Sequence, residues 1–132
     1  MNPLLYLPLA WILTLFTKWP LAYAQSSSPD GYDNKNPREQ QETLDGWGKR
    51  ALAAHKNAME GFPPFAVALI VAVLGDGTVE KIHLLAVLYI LCRILYTWTY
   101  IVDRDLIRST FWCTGALATI GLMMLPILES AG

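Results

Sequence analysis

The sequence predicts an all-α protein, a transmembrane four-helix bundle of up-down topology that forms a single integral-membrane domain over residues 1–132. Three observations point there. The chain is 54% hydrophobic with a mean hydropathy of +0.33. Only 16% of its residues are charged, against roughly 25% for an ordinary soluble domain. Those charges are clustered, so that four apolar stretches stand between them, each about the 20 residues that cross a bilayer core as a helix. Short connections between successive spans make neighbours antiparallel. The formal net charge of -1 supplies no basic field, so nucleic-acid binding is excluded. Cys92 and Cys113 sit in apolar runs without the spacing of a zinc site or a disulfide framework, so no metal site is expected and both read as small packing residues.

The first span covers residues 3–24. Ala22-Tyr23-Ala24 followed by Gln25 has the look of a signal-peptidase site, but Met1–Thr17 holds no lysine or arginine, so a retained span is expected. Residues 25–44 form a polar loop whose serines, Pro29, Gly31, Pro37 and mixed charge are those of a solvated linker. Helical pattern resumes near Asp45 and runs to Leu74. The second span occupies residues 51–74, with Pro63-Pro64 expected to kink it where neighbouring helices shelter the freed carbonyls. The third and fourth spans cover residues 82–102 and 109–128. Lys18, Lys35, Arg38, Lys49, Arg50, Arg104 and Arg108 lie on the side of the first and third loops, and Lys81 on the other. The first and third loops are therefore expected in the cytoplasm and both termini opposite, with Trp19, Tyr23, Trp47 and Trp112 as interfacial anchors.

Ionisable groups inside spans are costly and face a cavity or one another, which singles out Lys56, Glu60 and Arg93. At 3.6 residues per turn, Arg50, Ala53, Asn57, Glu60 and Pro64 share a broad face of the second span, with Lys56 at its edge and His55 pointing away. Arg93, Tyr96, Tyr100 and Arg104 share a face of the third. Counted inward from the loops, Glu60 and Arg93 both lie about 15 Å deep, which predicts an ion pair at the floor of a polar cleft opening toward the cytoplasm. Lys56, Asn57, Tyr96, Tyr100 and Arg108 bring more donors to that cleft than the chain's own acceptors satisfy, and an anionic or zwitterionic ligand fits them.

The run Arg50-Ala-Leu-Ala-Ala-His-Lys-Asn-Ala-Met-Glu60-Gly-Phe-Pro-Pro-Phe65 resembles the second-helix signature of the MAPEG family, the membrane-associated proteins of eicosanoid and glutathione metabolism. Asn57-x-x-Glu60 followed by proline and phenylalanine is its core, and Arg93 with Tyr96 and Tyr100 resembles the third-helix counterpart. The chain looks most similar to the microsomal prostaglandin E synthase and microsomal glutathione S-transferase branch. The resemblance implies a homotrimer that binds glutathione as co-substrate near the cytoplasmic side between subunits. It also implies an activity: transfer of glutathione to lipophilic electrophiles reaching it from membrane lipid, or reduction of lipid hydroperoxides. By position it makes Lys56, Asn57, Glu60, Tyr96, Tyr100 and Ser109 glutathione-binding residues and Arg108 the catalytic residue that stabilises the thiolate. Tyr96 stands where that branch has histidine, and Trp112 where it has tyrosine. The alternative implied is a non-catalytic lipid-binding protein resembling the lipoxygenase-activating member.

Overall fold

The computed structural model describes residues 1–131. It is all-helical, with four helical segments long and apolar enough to cross a membrane: Pro3–Ser26, Gly46–Leu74, Val79–Ile101 and Asp105–Ser130. The first is not one uninterrupted helix. A turn of 3-10 helix at Pro3–Leu5, capped by the Asn2 side chain, leads into α1 (Tyr6–Phe16), and α2 (Lys18–Ser26) follows after a break at Thr17. The cause is Pro20, which has no N–H to give to the Phe16 carbonyl four residues back.

The first loop is more ordered than its composition suggests. It carries a short helix, α3 (Pro37–Glu42), held to the bundle by three glutamines. The Gln25 side chain, fully buried, donates to the Pro37 carbonyl at 3.0 Å and to Gln40 Oε1 at 3.1 Å, and accepts from Gln41 Nε2 at 3.2 Å. Gln40 Nε2 in turn donates to the Gly31 carbonyl at 2.6 Å. Expecting a plain linker here was wrong because a side-chain network has no periodicity along the sequence.

The three longer helices are α4 (Gly46–Leu74), α5 (Val79–Ile101) and α6 (Asp105–Ser130). α4 continues through Pro63 and Pro64, which leaves the carbonyls of Met59 and Glu60 without intrahelical donors. Its length matches the helical pattern from Asp45 to Leu74. The turn between α5 and α6 is closed by Asp103 in the left-handed region at φ 62°, a conformation that a short polar side chain tolerates. At the other end of the bundle Glu129 fastens the α4–α5 turn to α6. Its carboxylate accepts from the Thr78 N–H, the Thr78 hydroxyl and the Lys81 ammonium, each at 2.7 Å.

Small residues let the helices approach closely where van der Waals packing, rather than water exclusion, holds them together. Ala68, Ala72, Ala86 and Ala118 are buried between Phe65, Leu69, Ile82 and Leu122. A Cβ on Gly115 would stand 3.4 Å from that of Cys92, so α5 and α6 meet there nearly backbone to side chain. Cys92 is therefore the packing residue expected, whereas Cys113 is exposed and is not.

Phe65 is fully buried and its ring stacks on Tyr89 at 3.9 Å between centroids. Phe65→Ala is expected to cost about 3 kcal/mol, the low end for such a truncation, because lipid rather than water surrounds the side chain once the helices separate. Thermal unfolding in detergent micelles measures this, and an unchanged midpoint would show that the stack contributes no packing energy.

Candidate functional site

The polar groups at the loop end of the bundle come from α4, α5 and the start of α6. Arg93, on α5, is buried at 8% exposure. Its side chain passes Gly61, where a Cβ would lie 3.5 Å from the guanidinium carbon, and its Nη2 donates to Asn57 Oδ1 at 2.6 Å. The expected Glu60–Arg93 ion pair does not form. Helical geometry gives the reason: Glu60 lies about 60° round the helix from Asn57 on one side, and Gly61 about 40° on the other. Arg93 approaches over Asn57 and Gly61, the glycine leaves it room, and Glu60 is turned away and exposed. Counting depth alone leaves azimuth out, and azimuth decides the partner.

Lys56 lies farther round in the same direction as Glu60. It is exposed and lines a different groove of about 580 Å³, shared with Lys18, Arg38, Glu42 and His55. Within one chain it shares this groove with Glu60 but not with Asn57, Tyr96, Tyr100, Arg108 or Ser109. Glu60 borders both this groove and the one beside Arg93. His55 shares a hydrogen bond with the Thr17 hydroxyl at 2.8 Å, at the break between α1 and α2.

On α5 the predicted face is assembled as a stack. The Arg93 guanidinium sits 4.6 Å over the Tyr96 ring, Tyr96 meets Tyr100 edge to face at 5.5 Å, and the Arg108 guanidinium lies 4.4 Å over Tyr100. Cations placed over ring faces are attracted by the ring quadrupole, more strongly where water is scarce. Arg104 is not part of this stack and lies exposed at the N-terminal cap of α6. Arg50, read as part of the cleft face, instead donates to the Ile101 carbonyl at 3.1 Å and stands 3.8 Å from Asp103, tying the start of α4 to the end of α5.

Two adjoining grooves flank the stack. Tyr96, Tyr100, Arg108, Ser109, Trp112 and Cys113 line one of about 250 Å³. Asn57, Glu60 and Arg93 lie at the polar side of the other, about 350 Å³, whose remaining wall is largely apolar and includes Pro64, Ala116, Ile120 and Met123. Trp112 belongs to both. Ser109 is exposed and its hydroxyl donates to the Asp105 carbonyl at 3.0 Å. Among the described residues Arg108 has no carboxylate partner. The sequence reading missed Gly61 and Tyr89. Gly61 was findable, since it stands four residues after Asn57 on the same face. Tyr89 was not, since its hydroxyl donates at 3.0 Å to the Gly61 carbonyl, a contact between helices.

No curated protein and no solved structure matches the chain. A family model does, the MAPEG family, and it covers residues 3–128, which takes in the first three spans and all but the last two residues of the fourth. The four spans and this match together make the chain an integral, multi-pass membrane protein, and one that belongs to the MAPEG family.

Proposed function

We propose that the protein is a glutathione-dependent membrane enzyme that transfers glutathione to lipophilic electrophiles or reduces lipid hydroperoxides, with Arg108 stabilising the thiolate. The observation that carries this reading is the Arg108 guanidinium, held 4.4 Å over the Tyr100 ring beside a groove and without a carboxylate partner among the described residues. A cation so placed favours an anion next to it, and a thiol of pKa about 8.5, mostly protonated at neutral pH, is shifted toward its thiolate there. Tyr96, Tyr100 and Ser109 offer hydroxyls along the same groove to orient a peptide-like ligand. Asn57, engaged by Arg93, and Glu60 stand at the adjoining groove, whose apolar wall suits a lipophilic acceptor entering from the membrane.

The separation of Lys56 from Arg108 supports a site completed between subunits of a homotrimer, in which the Lys56 groove of one subunit faces the Arg108 groove of the next and offers its ammonium to a ligand carboxylate. Each span carries exposed apolar side chains, such as Leu15, Val67, Leu84 and Leu117, for a neighbouring subunit or lipid to cover. The excess of lysine and arginine at the first and third loops supports a cytoplasmic site.

Purified protein mixed with glutathione is expected to show the raised near-ultraviolet absorbance of a thiolate at neutral pH and to conjugate a generic aryl halide. Absence of both would sink the enzymatic reading. The second reading, a non-catalytic lipid-binding protein, is favoured by the largely apolar lining of the groove beside Arg93. It predicts fatty-acid binding with no thermal stabilisation by millimolar glutathione, because a ligand that binds the folded state raises its apparent stability.

A further inference from the structure

Cys113 is an exposed free thiol, and it lies on the wall of the groove that holds Arg108, Tyr100 and Ser109. A second feature of that wall points to a polar ligand there. Tyr96 is only 5% exposed, yet its hydroxyl makes no hydrogen bond among the described residues. Among the described residues no fully buried side-chain oxygen lacks a partner, so the Tyr96 hydroxyl is not sealed off, and Tyr96 lines this groove, where its hydroxyl is available to something that enters. The other cysteine, Cys92, is buried against Gly115 and has no such access.

We propose that Cys113 is a site of reversible modification by glutathione disulfide, and that the mixed disulfide formed there closes the groove beside Arg108. The proposal rests on the glutathione reading above. In the step, the Cys113 thiol loses its proton and its sulfur attacks one sulfur of glutathione disulfide. The disulfide bond of the reagent breaks, a new bond joins Cys113 to one glutathionyl group, and the second leaves as a thiolate that takes up the proton. No other oxidant is needed. The groove that recognises reduced glutathione holds one half of the disulfide, which raises the effective concentration of its sulfur at Cys113. A tripeptide bound covalently on this wall then occupies the space that free glutathione needs. Excess reduced glutathione reverses the step, so that occupancy of the groove follows the redox poise of the glutathione pool.

The test uses the full chain in nanodiscs and two probes, glutathione disulfide and a neutral hydroxyethyl disulfide, with mass spectrometry of the intact protein and of its peptides. The expected result is one glutathionyl group on Cys113, none on Cys92, and reaction about tenfold faster than with the neutral disulfide. Modified protein should lose its thermal stabilisation by glutathione sulfonate, which has no thiol to reduce the mixed disulfide, while Cys113→Ser treated in the same way should keep it. No adduct at Cys113, equal rates with the two disulfides, or full stabilisation of the modified protein overturns the proposal. If the untreated parent protein is not stabilised by reduced glutathione, the glutathione reading itself fails and this proposal with it. Stabilisation of the untreated parent by reduced glutathione without a selective adduct at Cys113 overturns this proposal alone.

Discussion

Arg108→Ala is expected to lower turnover of a lipophilic electrophile by about 100-fold or more, the usual effect of removing a positioned electrostatic group from the point where charge develops. The guanidinium lies against Tyr100 and has no acid to neutralise it among the described residues, so its charge is available to the groove. Its loss should act through protonation state. In Arg108→Ala the bound thiol returns toward a pKa of about 8.5, so activity that is level near neutral pH in the parent should climb with pH in the variant. The pH profile separates this role from a merely structural one. Arg108→Lys should recover only part of the rate, because an ammonium keeps the charge but lacks the delocalised, forked guanidinium that packs on the ring and holds the charge in place. An Arg108→Ala enzyme with unchanged rate and unchanged pH dependence would remove Arg108 from the mechanism.

Arg93→Leu is expected to cost about 1–3 kcal/mol of stability in detergent, and the double variant Asn57→Leu/Arg93→Leu is expected to regain part of that loss. Arg93 satisfies the Asn57 carboxamide at 2.6 Å in a region shielded from water, so leucine at position 93 strands a polar group there. Removing both partners strands nothing. The two variants should nevertheless agree in function. Without the guanidinium 4.6 Å over its ring, Tyr96 is no longer held between Arg93 and Tyr100, and stabilisation by glutathione should fall in both. A thermal unfolding series with and without glutathione measures the two effects together. If the double variant proves less stable than Arg93→Leu, the Asn57–Arg93 contact is not the one that matters.

The sequence carried the spans plainly because a bilayer imposes one simple condition, a run of apolar residues about 30 Å long when helical. It also carried the depth of each polar residue, since rise along a helix is nearly constant. Glu60 and Arg93, expected at one level, border one groove, and Asn57, expected about a turn nearer the loop beside Tyr96, borders it with them. Tyr96, Tyr100 and Arg108 meet on one side because the tyrosines are four residues apart and Arg108 opens the next helix after a short turn. What failed was the choice of partner. A long arginine side chain chooses among neighbours within a helical turn, and the choice depends on which neighbour lacks a side chain, here Gly61.

By itself, then, the sequence determined the four membrane spans, their alternating direction and the level of the polar cluster, all of which follow from period and length along one dimension. Tertiary structure alone decided that Asn57 rather than Glu60 takes Arg93, that Lys56 faces a different groove from Arg108, and that Gln25, Gln40 and Gln41 fold the first loop onto the bundle. It also decided that Cys113 is open while Cys92 is packed. These depend on azimuth and on side-chain reach between helices distant in sequence, and periodicity within a single helix does not encode how its neighbours are turned toward it.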